Sequence, residues 1–290
     1  MTIEQRATAG EAIESARALL ARSGLVVPLD GSADAERAIP LARQLAERLG
    51  GGLRLVTVVA PGHDRGAAAA AVAATAARAG AAWTVLDGQD VAAAILEVAA
   101  ANAVVCMASH GRGRSAAVVG SVATAVVARS DNPVVLVGPG VPAGHRLAER
   151  VVACVDGSPS SETVVPTAAS WASALGLRLS LVTVAEPIPP PLKPGAPYRR
   201  GHGPAIDADD YIARLVQDWQ RRDVEVDGTA VHDPVSVAGG LADHLAARPA
   251  ALVAATTHAR SGATRAVLGS VAAAIVRHVP APTVLVRPRP

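Results

Sequence analysis

The chain repeats itself. Val26-Val27-Pro28-Leu29-Asp30-Gly31-Ser32 returns as Val152-Ala153-Cys154-Val155-Asp156-Gly157-Ser158, and Leu55-Val56-Thr57-Val58 returns as Leu181-Val182-Thr183-Val184, both 126 residues later. Ser109-His110 returns as Thr257-His258 at 148 residues. Gly120-Ser121-Val122-Ala123 returns as Gly269-Ser270-Val271-Ala272 at 149. Asn132-Pro133-Val134-Val135-Leu136-Val137 returns as Ala281-Pro282-Thr283-Val284-Leu285-Val286, also at 149. A period this long means two duplicated domains, since solenoid units are shorter. The 290 residues also suit two domains at roughly 100–200 residues each. The rise in offset places about 22 extra residues in the second half between Val184 and His258. Their source is the proline-rich stretch 187–204, read as an irregular or polyproline II loop.

The expected organisation is an N-terminal helical extension over 1–23, a first domain over 24–140, a linker over 141–149 and a second domain over 150–290. Gly and Pro punctuate the linker region. Within the first half, Leu25–Leu29 is a short apolar run. Ala35, Ala38, Ile39, Ala42, Leu45, Ala46 and Leu49 follow at helical spacing. Leu53–Val59 predicts a strand, Ala67–Ala79 a helix, Trp83–Leu86 a strand, Val91–Ala101 a helix and Ala103–Met107 a strand. Ser109–Val119 is a polar loop, Val122–Arg129 a helix and Pro133–Val137 a last strand. Strands alternating with helices predict an α/β fold with a doubly wound parallel sheet. Half the residues are hydrophobic but only 2% aromatic, with no Phe. The core must therefore be built from Val, Leu, Ile and Ala, which suits strands covered on both faces.

Composition excludes several functions. The net charge of +2 is spread without a basic stripe, which argues against nucleic acid as a partner. Lys193 is the only lysine, so no P-loop is present. Cys106 and Cys154 lie in apolar runs and read as buried free thiols. The opening Thr2–Arg22 is charged and helix-like rather than a signal peptide, and the alanine-rich 66–82 is too weakly apolar to span a bilayer. The expectation is a soluble cytoplasmic protein without a membrane partner. No Ser/His/Asp set stands in a nucleophile context, which counts against an enzyme. Trp83, Trp171 and Trp219 read as core or boundary residues, and Asp209-Asp210 as helix N-terminal charge.

In open α/β sheets ligands bind beyond the strand C-termini where strand order reverses. If the order is 3-2-1-4-5, Asp30 and the loop Ser109–Ser121 face each other there. That loop carries His110, Gly111, Arg112, Gly113 and Arg114, and leads to Gly120-Ser121 at a helix start. Glycines admit a phosphate close to the backbone. A helix N-terminus offers free N–H groups, Ser121 adds a hydroxyl, and the arginines offset charge. Asp30 can accept from an adenine amino group or a ribose hydroxyl. The same residues also read as an Asp-Gly-Ser turn and a Gly-Ser helix cap with no ligand. His110 and His258 read as loop-ordering hydrogen bonders rather than metal ligands.

These separated motifs, occurring twice in the same order, resemble the universal stress protein family over residues 24–138 and 150–287. The resemblance implies two five-stranded sheets of order 3-2-1-4-5, of adenine-nucleotide α-hydrolase-like or Rossmann-like type. It also implies ATP as ligand, with Mg as an accompanying ion, held by a Gly-x2-Gly-x9-Gly-Ser loop with the first-strand Asp and second-strand Val. In the first half it marks Pro28, Asp30, Gly31, Ser32, Val58, Ala108, His110, Gly111, Arg112, Gly113, Gly120, Ser121, Val122 and Ala123. In the second it marks Asp156, Gly157, Ser158, Val184, His258, Arg260, Gly269, Ser270 and Val271. Ala108 stands where the first glycine is expected, and eight residues rather than nine separate Gly111 from Gly120. Thr256 and Ala259 replace both early glycines in the second half, and Cys154 replaces Pro28, so the first half is the expected site. The implied role is regulatory or stress-responsive, with an unidentified protein partner. The alternative is a family member that binds no nucleotide and acts through protein contacts. The last strands, Pro133–Val137 and Pro282–Val286, would be edges of their own sheets and are expected to pair, giving a pseudo-dimer within one chain. A homodimer of such chains is the further expectation.

Overall fold

In a computed structural model of the chain, residues 24–99, 103–111, 119–185, 207–233, 236–257 and 268–288 are described. The expected N-terminal helix and the proline-rich loop 187–204 lie outside them.

The first half runs β1 (Gly24–Pro28), α1 (Ala33–Glu36), α2 (Ile39–Leu49), β2 (Leu53–Val59), α3 (Arg65–Ala79), β3 (Ala82–Asp87), α4 (Val91–Ala99), β4 (Ala103–Ala108), α5 (Ser121–Arg129) and β5 (Val134–Val137). The second repeats it as β6 (Arg150–Cys154), α6 (Pro159–Glu162), α7 (Val164–Leu175), β7 (Arg178–Ala185), α8 (Ala208–Gln220), β8 (Val226–His232), α9 (Val237–Ala247), β9 (Leu252–Thr256), α10 (Ser270–His278) and β10 (Thr283–Val286).

The ten strands form one sheet, ordered β3-β2-β1-β4-β5-β10-β9-β6-β7-β8. Each half has the 3-2-1-4-5 order with parallel neighbours. The halves join where β5 and β10 pair antiparallel, Val135 opposite Val284. The expected edge-to-edge pairing is thus present. Val135 and Val284 are both fully buried, each contributing about 1.5–3 kcal/mol as a core valine would. Helices α2, α3, α7 and α8 cover one face of the sheet. Helices α4, α5, α9 and α10 cover the other. Each core therefore runs through both halves without a break.

The first helix differs from its expectation. One helix over Ala35–Leu49 was predicted, but α1 ends at Glu36 and α2 begins at Ile39. Pro40 has no N–H to give the Glu36 carbonyl, so the chain tightens first. Arg37 N–H reaches Asp34 O (3.2 Å) and Ala38 N–H reaches Ala35 O (3.3 Å). Pro166 breaks α6 from α7 at the matching position. Gly50 ends α2 in the left-handed region (φ 68°), its N–H on Ala46 O.

The linker is ordered by α2 and the turn before it. Arg37 donates to Val141 O (2.9 Å) and Pro139 O (3.3 Å). Gln44 donates to His145 O (2.9 Å) and accepts from Leu147 N (3.2 Å). Arg48 donates to Leu147 O and Leu175 O, both at 3.1 Å. At the seam, a Cβ on Gly138 would lie 1.7 Å from Val276 O, so only glycine lets β5 leave so close to α10. The matching residue of the second half is Arg287, which reaches back to Ala128 O (3.0 Å) and Asp131 (2.7 Å).

Trp171 and Trp219 are buried, as expected, but Trp83 is 44% exposed. It sits on β3, an outer strand of the sheet, with no strand on its far side among the described residues.

Candidate functional site

The site builds from two chain ends that the topology brings together. β1 lies between β2 and β4, so its C-terminal turn opens onto the loop leaving β4. The turn is closed locally: Asp30 Oδ1 accepts from Ser32 N (2.9 Å) and Ser32 Oγ (2.6 Å). Gly31 takes φ 78°, a conformation that favours glycine. Ser32 Oγ then caps α1 by accepting from Ala35 N (3.2 Å). Asp30 itself is exposed.

Across the crevice lies Gly111. A Cβ built there would come within 2.4 Å of Asp30 Oδ2. Gly111 does not have a positive φ, so its need for glycine is space beside the Asp30 carboxylate. Ser109 and His110, just before it, are buried. Ser109 Oγ and His110 Nδ1 are 3.1 Å apart, and His110 Nε2 is 3.9 Å from Asp34 Oδ1. The imidazole thus lies between the end of β4 and α1. No cluster of three or more metal-ligating side chains occurs among the described residues.

Gly120 begins α5 with its own N–H on Ser109 O (2.7 Å) and no side-chain cap. The helices that leave a loop elsewhere are capped: α3 by Asp64, α8 by Asp207 and α9 by Ser236. Among the described residues α5 and α10, which both start at Gly-Ser, have no side-chain cap, nor do α2 and α7, each of which follows directly on a preceding helix. The first-turn N–H groups of α5 and α10 and the positive end of the helix dipole point out beyond the strand ends. A Cβ at Gly120 would make only ordinary contact, 3.4 Å from Ser109 O. Among the described residues, packing therefore does not demand glycine there. Ser121 is exposed, Val122 half-buried and Ala123 buried.

Pro28 and Val58, both half-buried, end β1 and lie near the end of β2. Ala108 is buried at the end of β4, paired with Val137. Arg112 and Gly113 lie outside the described residues, as do His258 and Arg260.

The second half repeats the turn closely. Asp156 Oδ1 accepts from Ser158 N (2.9 Å) and Oγ (2.6 Å), and Gly157 takes φ 82°. Gly269 starts α10, Ser270 is exposed and Val271 is 43% exposed. Val184 is half-buried, as is Cys154 in the place of Pro28, where burial pushes the thiol to about 12. Cys106 is buried and is also pushed to about 12, so neither thiol is poised to react.

One residue here escaped sequence reasoning. Tyr211 of α8 is buried and donates to Glu162 Oε1 (3.1 Å). Burial and then the nearby Glu162 carboxylate raise its pKa. In the first half the corresponding Glu36 accepts from Thr75 Oγ1 (3.3 Å) and lies 3.5 Å from Arg78. The match of Glu36 with Glu162, again 126 apart, was the signal available for finding it.

Comparison with known proteins agrees with this geometry. The universal stress protein family model matches residues 63–138 and 148–287. The first match begins after the Asp30 turn, which the structure nonetheless builds like the Asp156 turn. A universal stress protein of Mycolicibacterium smegmatis is 28% identical over 209 residues, covering 71% of this chain and 69% of that protein. The crystal structure of a universal stress protein from Archaeoglobus fulgidus superposes with a TM-score of 0.66 at 15% identity, covering 91% of this chain and 98% of that one. A universal stress protein solved in complex with cAMP covers 50% of this chain and 100% of its own at 20% identity, with a TM-score of 0.36. Among the described residues no helix is long and apolar enough to cross a membrane. Two family matches spanning most of the chain, on two copies of the same α/β sheet, place this protein in the universal stress protein family.

Proposed function

We propose that the first half, taken as residues 24–140, binds an adenine nucleotide, ATP in the first instance, in the crevice between β1 and β4, and that binding serves a regulatory role in the stress response. The observation that carries this is the convergence of Asp30 with Gly111 and the uncapped start of α5 at the strand-order reversal. Asp30 supplies an acceptor for an adenine amino group or ribose hydroxyl. Pro28 and Val58 supply apolar contact. The N–H groups of α5, with Ser121, supply donors for phosphate. A Cβ at Gly120 would meet Ser109 O at 3.4 Å without a clash among the described residues, so a glycine here fits a backbone kept bare for a ligand. Mg would accompany the phosphates.

The rival reading is a stress protein that binds no nucleotide and acts through protein contacts. Ala108 in place of a loop glycine favours it. Calorimetric titration of ATP into the purified full chain separates the two. One saturable site lost in Gly120→Val supports the proposal; no heat of binding at millimolar ATP supports the rival.

A further inference from the structure

A groove of about 650 Å³ runs between α2 and the linker, lined by α2 from Pro40 to Arg48 and by residues 143–148. Its volume falls in the range of small-molecule clefts, roughly 300–1,000 Å³. It lies on the flank of α2, and none of the crevice residues line it.

Its polar residues divide into two sets. Gln44 and Arg48 are spent on the linker carbonyls and make that wall rigid. Arg43 and Arg146 hold nothing of the fold. Arg43 makes only a loose pair with Glu47 (3.8 Å), both side chains more than half exposed. The Arg146 guanidinium has no hydrogen-bond or ion-pair partner among the described residues, and the residue is exposed. Three arginines thus share one groove with a single carboxylate.

The duplication provides an internal control. At the positions of Arg43, Gln44, Glu47 and Arg48, the second half has Ala169, Ser170, Ser173 and Ala174. The repeated fold therefore has no general need for cations at these places. Arginine's planar fork binds phosphoryl oxygens in pairs, and two such forks with room between them select a multiply charged anion.

We infer that the α2–linker groove is a second binding site, for a small phosphate-bearing anion, with Arg43 and Arg146 as its ligand-contacting residues. It is independent of the crevice proposed above for the nucleotide. Because Arg48 spans from the groove to Leu147 O and Leu175 O, occupancy also bears on how firmly the linker is held.

The test is calorimetric titration of inorganic pyrophosphate into the full chain at low ionic strength. Binding is expected in the parent and should weaken as salt is added. The double variant Arg43→Ala/Arg146→Ala should lose at least about tenfold in affinity, since two charge-assisted contacts disappear. Both side chains are exposed, so its thermal midpoint should match the parent. Asp30→Ala and Gly120→Val should leave pyrophosphate binding unchanged while lowering that of ATP. No binding to the parent, unchanged affinity in the double variant, or loss of pyrophosphate in Gly120→Val would each overturn the inference.

Discussion

At the end of β1 the Asp30 carboxylate lies against a glycine; past the end of β6 the helix that follows the equivalent Asp156 turn is held to α8 by a buried phenol. Both turns have the same internal hydrogen bonds and the same left-handed glycine. What differs is the neighbour. The first half spends Thr75 and Arg78 on Glu36. The second half spends Tyr211 on Glu162. The same turn can thus be backed by different partners in the two halves, and in the second half the partner comes from a helix that lies far away in sequence.

The comparison can be tested hardest at the seam, where the two halves must behave as one. Amides of β5 and β10 in a dilute monomeric sample should exchange only through global unfolding. Fast exchange in either strand would mean that the halves are separate bodies. Gly138→Ala should cost about 3 kcal/mol in urea denaturation, the upper end of overpacking, because its Cβ would meet Val276 O. Arg287→Ala, at the matching position, should cost well under half of that, since its contacts are exposed. Equal losses would show the seam to be symmetric after all.

The crevices come next. Asp30→Ala should weaken ATP binding by about 1–3 kcal/mol through a lost charge-assisted hydrogen bond. Asp156→Ala should leave it unchanged, and a matching loss there would put the nucleotide in the second half. Tyr211→Phe should destabilise the chain by about 1 kcal/mol, the ordinary worth of a hydrogen bond lost with its partner left in place. Thr75→Val, its counterpart in the first half, should cost less, because that bond is longer (3.3 Å) and only part-buried.

The smallest effect concerns His145, whose ring is 2.8 Å from Ala251 O. Burial lowers its pKa below the ordinary 6.5, against the opposing pull of that carbonyl. The unfolded chain then binds the proton more readily than the folded one. Stability from this group is intact above 6.5 and is lost as pH falls below it. His145→Gln should flatten the pH dependence of the urea midpoint between pH 7.5 and 5.5; an unchanged slope would assign that dependence to other groups.

Much of this fold was legible because the chain states it twice. Apolar runs ending at Asp-Gly-Ser, and apolar runs following Asn-Pro or Ala-Pro, located the first and last strands of each half. The demand that apolar edges find partners anticipated β5 beside β10. The split between α1 and α2 was not legible from periodicity, because proline is tolerated in the first turn of a new helix and leaves the apolar spacing undisturbed. Of the site, the facing of Asp30 and the β4 loop followed from topology. The reason for Gly111 did not, since it lies in a contact across 81 positions of sequence rather than in backbone conformation. Tyr211 was hidden for a related reason: α8 follows the extra residues of the second half, so no counterpart in the first half aligns with it by a constant offset.

The continuous sheet has a further consequence for how such a chain can change. In a dimer of identical subunits, every substitution at the joint appears twice, facing its own copy across the two-fold axis. Here the tether makes strand pairing intramolecular, at an effective concentration on the order of millimolar, whatever the amount of protein present. Each position at the joint can then vary alone. Gly138 against Val276 O on one side and Arg287 against Ala128 O on the other is a combination that no symmetric dimer could hold, because a single codon would have to specify both glycine and arginine.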